Sequence, residues 1–129
     1  MVGVDGMPID DKQEMTFQQL LDNDERYVQD AIIRNEQIDE VLLERFSFTN
    51  VVFDRCIFVD CHFSKLELTD VLFKHCDLSN CKLEEGYYYR TSFFNCKLLG
   101  TKFVKSTFKH CSFDQCFANY ASFSEAHFD

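Results

Sequence analysis

Seven cysteines are the residues of this 129-residue sequence best suited to chemistry, because thiolates bind metals and form disulfides. Three pairs lie five residues apart, namely Cys56 and Cys61, Cys76 and Cys81, and Cys111 and Cys116. Zinc sites usually combine more closely spaced cysteines with further converging ligands. An odd number of cysteines also disfavours a disulfide scaffold. We therefore predict small buried cysteines and no bound metal or cofactor.

The histidines do not form a catalytic pattern with other residues. His62, His75, His110 and His127 have no Cys, Asp or Glu nearby in the spacing of a metal site or of a nucleophile and its base. The sequence also lacks a Gly-rich phosphate loop, a G-x-S-x-G motif and an H-E-x-x-H motif. These observations predict a protein that is not an enzyme.

A period of five residues organises most of the chain. From Phe48 to Phe128 every fifth residue is large and apolar, with the single exception of Ala118. Eleven of the fifteen phenylalanines lie in this phase, although only a fifth of them would do so by chance. The series is Phe48, Phe53, Phe58, Phe63, Leu68, Phe73, Leu78, Leu83, Tyr88, Phe93, Leu98, Phe103, Phe108, Phe113, Ala118, Phe123 and Phe128.

A second series, of mostly small residues, lies two positions before the first and contains all seven cysteines. Residues two apart on an extended segment point to the same side, so both series face inward. Five fits neither the period of a helix nor that of a plain strand, so each five residues contain a short extended piece and a corner. If four such sides close one coil, twenty residues return the chain to its start. The coils then stack as parallel strands about 4.8 Å apart, which predicts a solenoid with a Phe/Leu interior.

These units resemble the pentapeptide-repeat proteins, whose unit is small, polar, Leu or Phe, polar, polar. Residues 76–80 (CDLSN) and 121–125 (ASFSE) have this pattern, and the resemblance extends without a skipped position over residues 46–129. It implies an all-β fold, a right-handed quadrilateral parallel β-helix with a short N-terminal helical or irregular cap. Residues 86–128, and 116–123 (CFANYASF) in particular, are most similar to the Gram-positive Qnr-type proteins.

The N-terminal part departs from the repeat. We expect an acidic arm with a possible short helix over residues 1–27, the helix beginning after Thr16 as N-cap and covering the open end of the solenoid. The β-helix is expected over residues 28–129 and regular from residue 46. Because Arg26 and Glu36 occupy positions of the small inward series, the first coil is predicted to be irregular.

Charge is unevenly distributed along the chain. The net charge of −9 argues against a generally basic surface that binds nucleic acid directly. Residues 1–45 contain 12 acidic and 4 basic residues, whereas residues 46–129 are nearly neutral, with 10 and 9. The sequence has neither a long apolar run nor a leader-like N-terminus, which predicts a cytoplasmic protein that does not enter a membrane.

Two sets of outward residues are candidates for binding a protein. The first is an acidic face, comprising Asp54, Asp60, Glu67, Asp70, Asp77 and Asp114. The second is an apolar interface, comprising Ile57, Val59, Leu99, Phe117 and Tyr120. Stacked exposed apolar residues indicate an interaction surface. An equally supported alternative is that the N-terminal segment covers this apolar group.

The resemblance implies a specific function. Qnr-type proteins are DNA-mimicking rods that bind the type II topoisomerases DNA gyrase and topoisomerase IV and protect them from quinolones. The acidic face would then enter the DNA-binding groove of the enzyme. The alternative is a generic protein–protein interaction scaffold with another partner. The sequence ends inside a coil, so we also expect either a fragment of a longer repeat protein or a homodimer through a solenoid end.

We predict that Phe103→Asp unfolds the protein, because the substitution places an unpaired charge in the interior. Thermal unfolding followed by circular dichroism measures the effect. An unchanged transition temperature would show that the inward phase is misassigned.

Overall fold

The computed structural model describes residues 12–129. These residues form one short helix, α1 (Phe17–Leu21), and fourteen strands. The strands are β1 (Gln13–Glu14), β2 (Tyr27–Arg34), β3 (Gln37–Asp39), β4 (Leu42–Glu44), β5 (Ser47–Asp54), β6 (Ile57–Val59), β7 (His62–Ser64), β8 (Glu67–Lys74), β9 (Lys82–Glu84), β10 (Tyr87–Tyr89), β11 (Ser92–Phe94), β12 (Thr107–Lys109), β13 (Ser112–Asp114) and β14 (His127–Phe128).

From β2 onward all strand pairs are parallel, and paired residues lie twenty apart in the sequence. Phe48 of β5 pairs with Val28 of β2 on one edge and with Leu68 of β8 on the other. Twenty residues therefore make one coil, as the sequence predicts. Five coils follow one another, over residues 26–45, 46–65, 66–85, 86–105 and 106–125, and the chain then enters a sixth. The predicted all-β parallel solenoid is confirmed.

Each coil has four sides of five residues, which we number by the residue at the centre of each side. Side 1 has its centres at 28, 48, 68, 88, 108 and 128, and side 2 at 33, 53, 73, 93 and 113. Side 3 has its centres at 38, 58, 78, 98 and 118, and side 4 at 43, 63, 83, 103 and 123. Side 1 therefore lies opposite side 3.

The corners between the sides require an unusual backbone conformation. Every fifth residue from Asp30 to Glu125 has a positive φ, between 48° and 69°. This left-handed conformation costs an L-residue about 1–2 kcal/mol, and Gly, Asn and Asp tolerate it best. Ten of these twenty corner residues are Gly, Asn, Asp or His. Hydrogen bonds such as Cys81 N–H to Leu78 O close type II turns at several corners of sides 3 and 4.

The interior consists of columns of stacked rings. On side 2, Phe53, Phe73, Phe93 and Phe113 stack with centroids 4.8–4.9 Å apart and interplanar angles of 1–9°. Rings on neighbouring sides of one coil meet edge to face, as do Phe58 and Phe63 at 5.8 Å and 90°. Aromatic rings favour both arrangements. The coil repeat therefore sets the ring spacing, and the core is continuous along the axis.

The small inward residues donate hydrogen bonds as well as filling space. Cys76 Sγ lies 3.2 Å from Phe53 O, and Thr101 Oγ1 lies 2.8 Å from Leu78 O. Nine such bonds link a thiol or hydroxyl to the carbonyl of a centre residue 23 positions earlier. All seven cysteines are free thiols. Their inward position, predicted from the period, is thus explained by size and by hydrogen bonding.

The helix α1 lies at the N-terminal end of the solenoid. Thr16 is its N-cap, as predicted, and forms a capping box with Gln19. Phe17 and Leu20 are buried, and the Phe17 ring meets Phe58 edge to face at 6.2 Å. The Glu36 carboxylate accepts the Phe17 N–H at 3.1–3.2 Å. An acidic residue in a small inward position is therefore accommodated by the end of the helix.

The prediction of an irregular first coil is wrong. Strand β2 pairs with β5 in unbroken register on both sides of the corner, from Tyr27 with Ser47 to Arg34 with Asp54. Arg26 is exposed and begins the coil with a positive φ of 54°. Because Glu36 is held by α1, neither deviation from the repeat disturbs the strands. Residues 1–11 of the predicted arm lie outside the described residues.

Tyr88 occupies a centre position that elsewhere holds Phe or Leu. Its side chain is fully buried, and its hydroxyl has no hydrogen-bond partner among the described residues. The nearby Ser106 hydroxyl already accepts the Gly86 N–H and donates to Leu83 O. A Cβ atom on Gly86 would clash with both the hydroxyl and the adjoining ring carbons of Tyr88. The absent side chain of Gly86 therefore makes room for the phenol.

We predict that Tyr88→Phe stabilises the protein by about 1 kcal/mol, because it removes a buried hydroxyl without a partner. Gly86→Ala should destabilise it by about 1–3 kcal/mol through overpacking. In the Tyr88→Phe background the same alanine should cost less, since Phe coexists with a small side chain two residues earlier at Cys56 and Phe58. Chemical denaturation of the four proteins measures the coupling, and strictly additive effects would contradict this account.

The corner residue Tyr120 has a φ of +63° and a side chain that is 94% exposed. We predict that Tyr120→Gly leaves the protein at least as stable, because glycine relieves the left-handed conformation and little packing is lost. Gly100, at the equivalent corner one coil earlier, is the matched control. Gly100→Ala should lower the unfolding free energy by about 1 kcal/mol. A Tyr120→Gly protein that loses more stability than the control would refute the prediction.

Candidate functional site

The predicted apolar interface lies on side 3. Each coil places two outward residues and one corner residue there. The first outward positions are Gln37, Ile57, Asp77, Lys97 and Phe117. The second are Asp39, Val59, Ser79, Leu99 and Asn119, and the corners are Glu40, Asp60, Asn80, Gly100 and Tyr120. All five predicted apolar residues therefore share one side.

These side chains are open to solvent over much of their surface. Ile57 is 45% exposed, Leu99 40%, Phe117 61% and Tyr120 94%, while Val59 is half-buried. They form two groups, with Ile57 and Val59 in the second coil and the other three in the fourth and fifth. Exposed apolar side chains on a flat parallel sheet are a feature of interaction surfaces.

A shallow groove of about 320 Å³ runs along the edge of side 3 that adjoins side 2. It is lined by Ile57, Asp77, Lys97 and Phe117 of the first outward column and by the corner residues His75 and Asn95. Asp77 Oδ1 accepts the Ser79 N–H at 2.9 Å, which leaves the second carboxylate oxygen for another partner. Lys97 is exposed and has no ion pair among the described residues. The groove therefore combines apolar ends with one charge of each sign at its centre.

The described part of the N-terminal segment does not cover this surface. Strand β1 pairs with β2 at Ala31 and Ile32, which belong to side 2, and Met15 N–H donates to Ile32 O at 3.0 Å. The helix α1 lies at the end of the solenoid. The alternative of coverage by the N-terminal segment thus fails for the residues from 12 onward, and residues 1–11 lie outside the described range.

The six residues of the predicted acidic face do not share one side. Asp54 and Asp114 lie on side 2, and Glu67 lies on side 1. Asp77 lies on side 3, while the remaining two, Asp60 and Asp70, are corner residues. Between Asp54 and Asp114 the same column of side 2 contains Lys74 and Phe94. The interpretation as a single face is wrong, because only residues separated by multiples of twenty share a column, and most of these acids are not.

Some of these carboxylates are already neutralised. Asp54 is 5% exposed and accepts from Arg55 Nη1 at 2.9 Å. Asp70 forms a bidentate pair with Arg90, with contacts of 2.8 and 2.9 Å. The Arg90 guanidinium also lies 4.5 Å from the centre of the Tyr89 ring. Paired carboxylates contribute little negative potential.

Side 2 contains an apolar column that the sequence analysis missed. Ile32, Val52 and Leu72 occupy outward positions, yet they are only 1–4% exposed, and Phe94 packs against them. They are separated by twenty residues, so counting in twenties could have identified them. These side chains are buried, so they are not available to a binding partner, whereas the apolar side chains of side 3 are exposed to solvent.

The described residues do not assemble a metal or catalytic site. They contain no group of three His, Cys, Asp or Glu placed to hold a metal ion. His62 Nε2 contacts Glu84 Oε1 at 2.8 Å, and His75 Nδ1 contacts the Asn95 amide at 2.8 Å. Burial raises the pKa of the Cys111 thiol, which disfavours the thiolate needed for nucleophilic attack. These contacts explain the side chains structurally, and the absence of enzymatic activity stays a prediction.

A second open cavity, of about 700 Å³, lies between the N-terminal turn and side 4. It is mainly polar and is lined in part by Arg26, Leu42, Glu44 and His62.

No helix within residues 12–129 is long and apolar enough to cross a bilayer.

Comparison with known proteins identifies the repeat. The family model for pentapeptide repeats matches residues 47–84 in eight copies. No curated protein sequence matches the chain. The fold resembles a pentapeptide-repeat protein from the cyanobacterium Cyanothece 51142, with 12% identity over 88% of this chain and 95% of that one and a TM-score of 0.36.

Two trypsin-treated variants of QnrB1, a plasmid-mediated fluoroquinolone resistance protein, are also similar. One has 16% identity over 78% of this chain and 73% of its own, with a TM-score of 0.40. The other has 18% identity over 74% and 71%, with a TM-score of 0.39. These scores are low, and the fold assignment rests on the strand pairing of this chain. The match to the pentapeptide-repeat model covers the second and third coils, and the same five-residue sides continue through the other coils.

Proposed function

We propose that this protein is a non-enzymatic interaction scaffold that binds a protein partner through side 3. The observation that carries the proposal is the exposure of Ile57, Leu99, Phe117 and Tyr120 on one flat side of the solenoid. Aromatic residues are enriched at the centres of protein interfaces. An interaction role also fits the structural and binding roles that pentapeptide-repeat proteins generally have.

The solenoid suits this role because its surface is rigid. Stacked rings and parallel strands hold the outward residues of side 3 in fixed columns. A preorganised surface loses little conformational entropy on binding, so more of the contact energy contributes to affinity.

A protein is a better partner than nucleic acid. The chain carries a net charge of −9, which repels phosphate backbones. All seven cysteines are free thiols, which fits a reducing compartment, and we infer that the protein acts in the cytoplasm.

Photo-crosslinking in cells that express the protein tests the proposal. Phe117→p-benzoylphenylalanine places the probe on side 3, and Tyr87→p-benzoylphenylalanine places a matched probe on the opposite side. We expect a discrete protein adduct from position 117 and none of the same mass from position 87. Adducts at both positions, or at neither, would overturn the assignment of side 3.

A second candidate is a DNA mimic that binds a type II topoisomerase, either DNA gyrase or topoisomerase IV, and protects it from quinolones. The resemblance of residues 86–128 to Gram-positive Qnr-type proteins favours it. Against it stands the near-neutrality of residues 46–129, which contain 10 acidic and 9 basic residues. Against it also stands the placement of the candidate carboxylates on three sides and two corners, where two of them pair with arginine.

A gyrase supercoiling assay with and without ciprofloxacin tests this candidate. Binding predicts inhibition of supercoiling, or protection from ciprofloxacin, in proportion to the protein added. If the protein changes neither activity and does not bind gyrase, this candidate is excluded, and the crosslinking experiment still decides the scaffold.

A further inference from the structure

The first outward column of side 3 has an order that is complementary to itself when reversed. From the second coil to the fifth it contains Ile57, Asp77, Lys97 and Phe117, which are apolar, acidic, basic and apolar. We propose that side 3 binds a second copy of this chain in antiparallel orientation, with the two-fold axis between the third and fourth coils. The inference rests on the proposed function, because it names the partner of the same side.

The symmetry fixes which residues meet. A two-fold axis that lies between two facing sides, across both solenoids, reverses the coil order but keeps each column opposite its own copy. Ile57 then lies opposite Phe117 of the second copy, and Asp77 lies opposite Lys97 of the second copy. Each contact occurs twice. At the corners, the same operation places Asp60 opposite Tyr120 of the second copy, within reach of a phenol-to-carboxylate hydrogen bond.

The four column residues are free to make these contacts. Ile57 and Phe117 are 45% and 61% exposed and form the two ends of the groove. Although Asp77 and Lys97 pair along the backbone of one chain, their side chains form no salt bridge with each other. Asp77 Oδ2 is not used by Ser79, which binds Oδ1. Opposite charges brought together in a partly dry groove favour association and fix its register.

The parallel arrangement is less favourable. A two-fold axis along the solenoid would place the first outward column opposite the second column of the other copy. Lys97 would then face Leu99, and Phe117 would face Asn119. In the first outward column, only the antiparallel arrangement matches charge with charge and apolar with apolar side chains. In the second outward column it places Val59 opposite Asn119 and Ser79 opposite Leu99 of the second copy. Four coils span about 20 Å, so the interface is small and the dimer should be weak and dependent on concentration.

Sedimentation equilibrium of the full chain, over a concentration range of about 10 µM to 1 mM, tests the proposal. We expect a reversible monomer–dimer equilibrium that weakens at high salt, because the ion pairs are partly exposed. Asp77→Lys and Lys97→Asp should each weaken the dimer by at least about tenfold, since like charges then face each other twice. Tyr87→Ala, on the opposite side, is the matched control and should leave the equilibrium unchanged. Circular dichroism checks that each variant is folded.

Mixing the two charge variants gives a result that altered folding cannot imitate. Each variant alone should dimerise more weakly than the wild type, but an equimolar mixture should form a heterodimer, because each aspartate then faces a lysine again. The double variant Asp77→Lys/Lys97→Asp should regain homodimerisation for the same reason. A mixture that stays monomeric while the wild type dimerises would overturn the proposed arrangement.

The remaining outcomes are also decisive. A wild-type protein that is monomeric up to 1 mM overturns the inference, as does a dimer that both charge variants retain, which would indicate association through a solenoid end. If the photo-probe at Phe117 captures a different protein while the purified chain stays monomeric, the proposed function survives and the second copy is excluded. If the probe captures a second copy of this chain, both are supported.

Discussion

Backbone hydrogen bonds between successive coils hold the other features of this protein in place. Phe58 N–H donates to Asp77 O at 2.8 Å, Leu78 N–H to Lys97 O at 2.9 Å and Leu98 N–H to Phe117 O at 2.7 Å. With this register fixed, residues twenty apart lie directly above one another. The rings in the interior then stack at the coil spacing, and the outward residues form straight columns whose composition decides what each side can bind.

The same ladder explains the cysteines. Between successive coils it uses carbonyl groups of outward and of small inward residues, and the carbonyls of centre residues such as Phe53 and Phe73 accept from a thiol 23 positions later. A buried carbonyl without a donor is costly. Cys, Ser and Thr are small enough for the inward position and supply that donor, which Ala cannot do. The cysteine content therefore follows from backbone satisfaction rather than from redox chemistry.

The period of five residues was sufficient to predict the coil and the inward series, and the helical spacing of Phe17, Leu20 and Leu21 predicted the N-cap at Thr16, because each depends on local spacing alone. The predicted apolar group was also brought onto one side. The acidic face failed because a carboxylate's role depends on its column and on partners such as Arg55 and Arg90, which spacing does not reveal. The regular first coil was missed for a similar reason, since Glu36 is accommodated by α1, an element outside the repeat.

The coil and the column together fix the position of every outward side chain on the solenoid. Substitutions at positions such as 57, 77, 97 and 117 change the side chains of one outward column of side 3, and the columns of stacked rings in the interior keep their packing. Binding specificity can therefore evolve, or be engineered, independently of foldability. The coil number sets the position of a side chain along the solenoid axis, and its place within the five residues sets the direction in which it points. Charges complementary to those of a ligand can therefore be introduced by substituting one outward residue at a time.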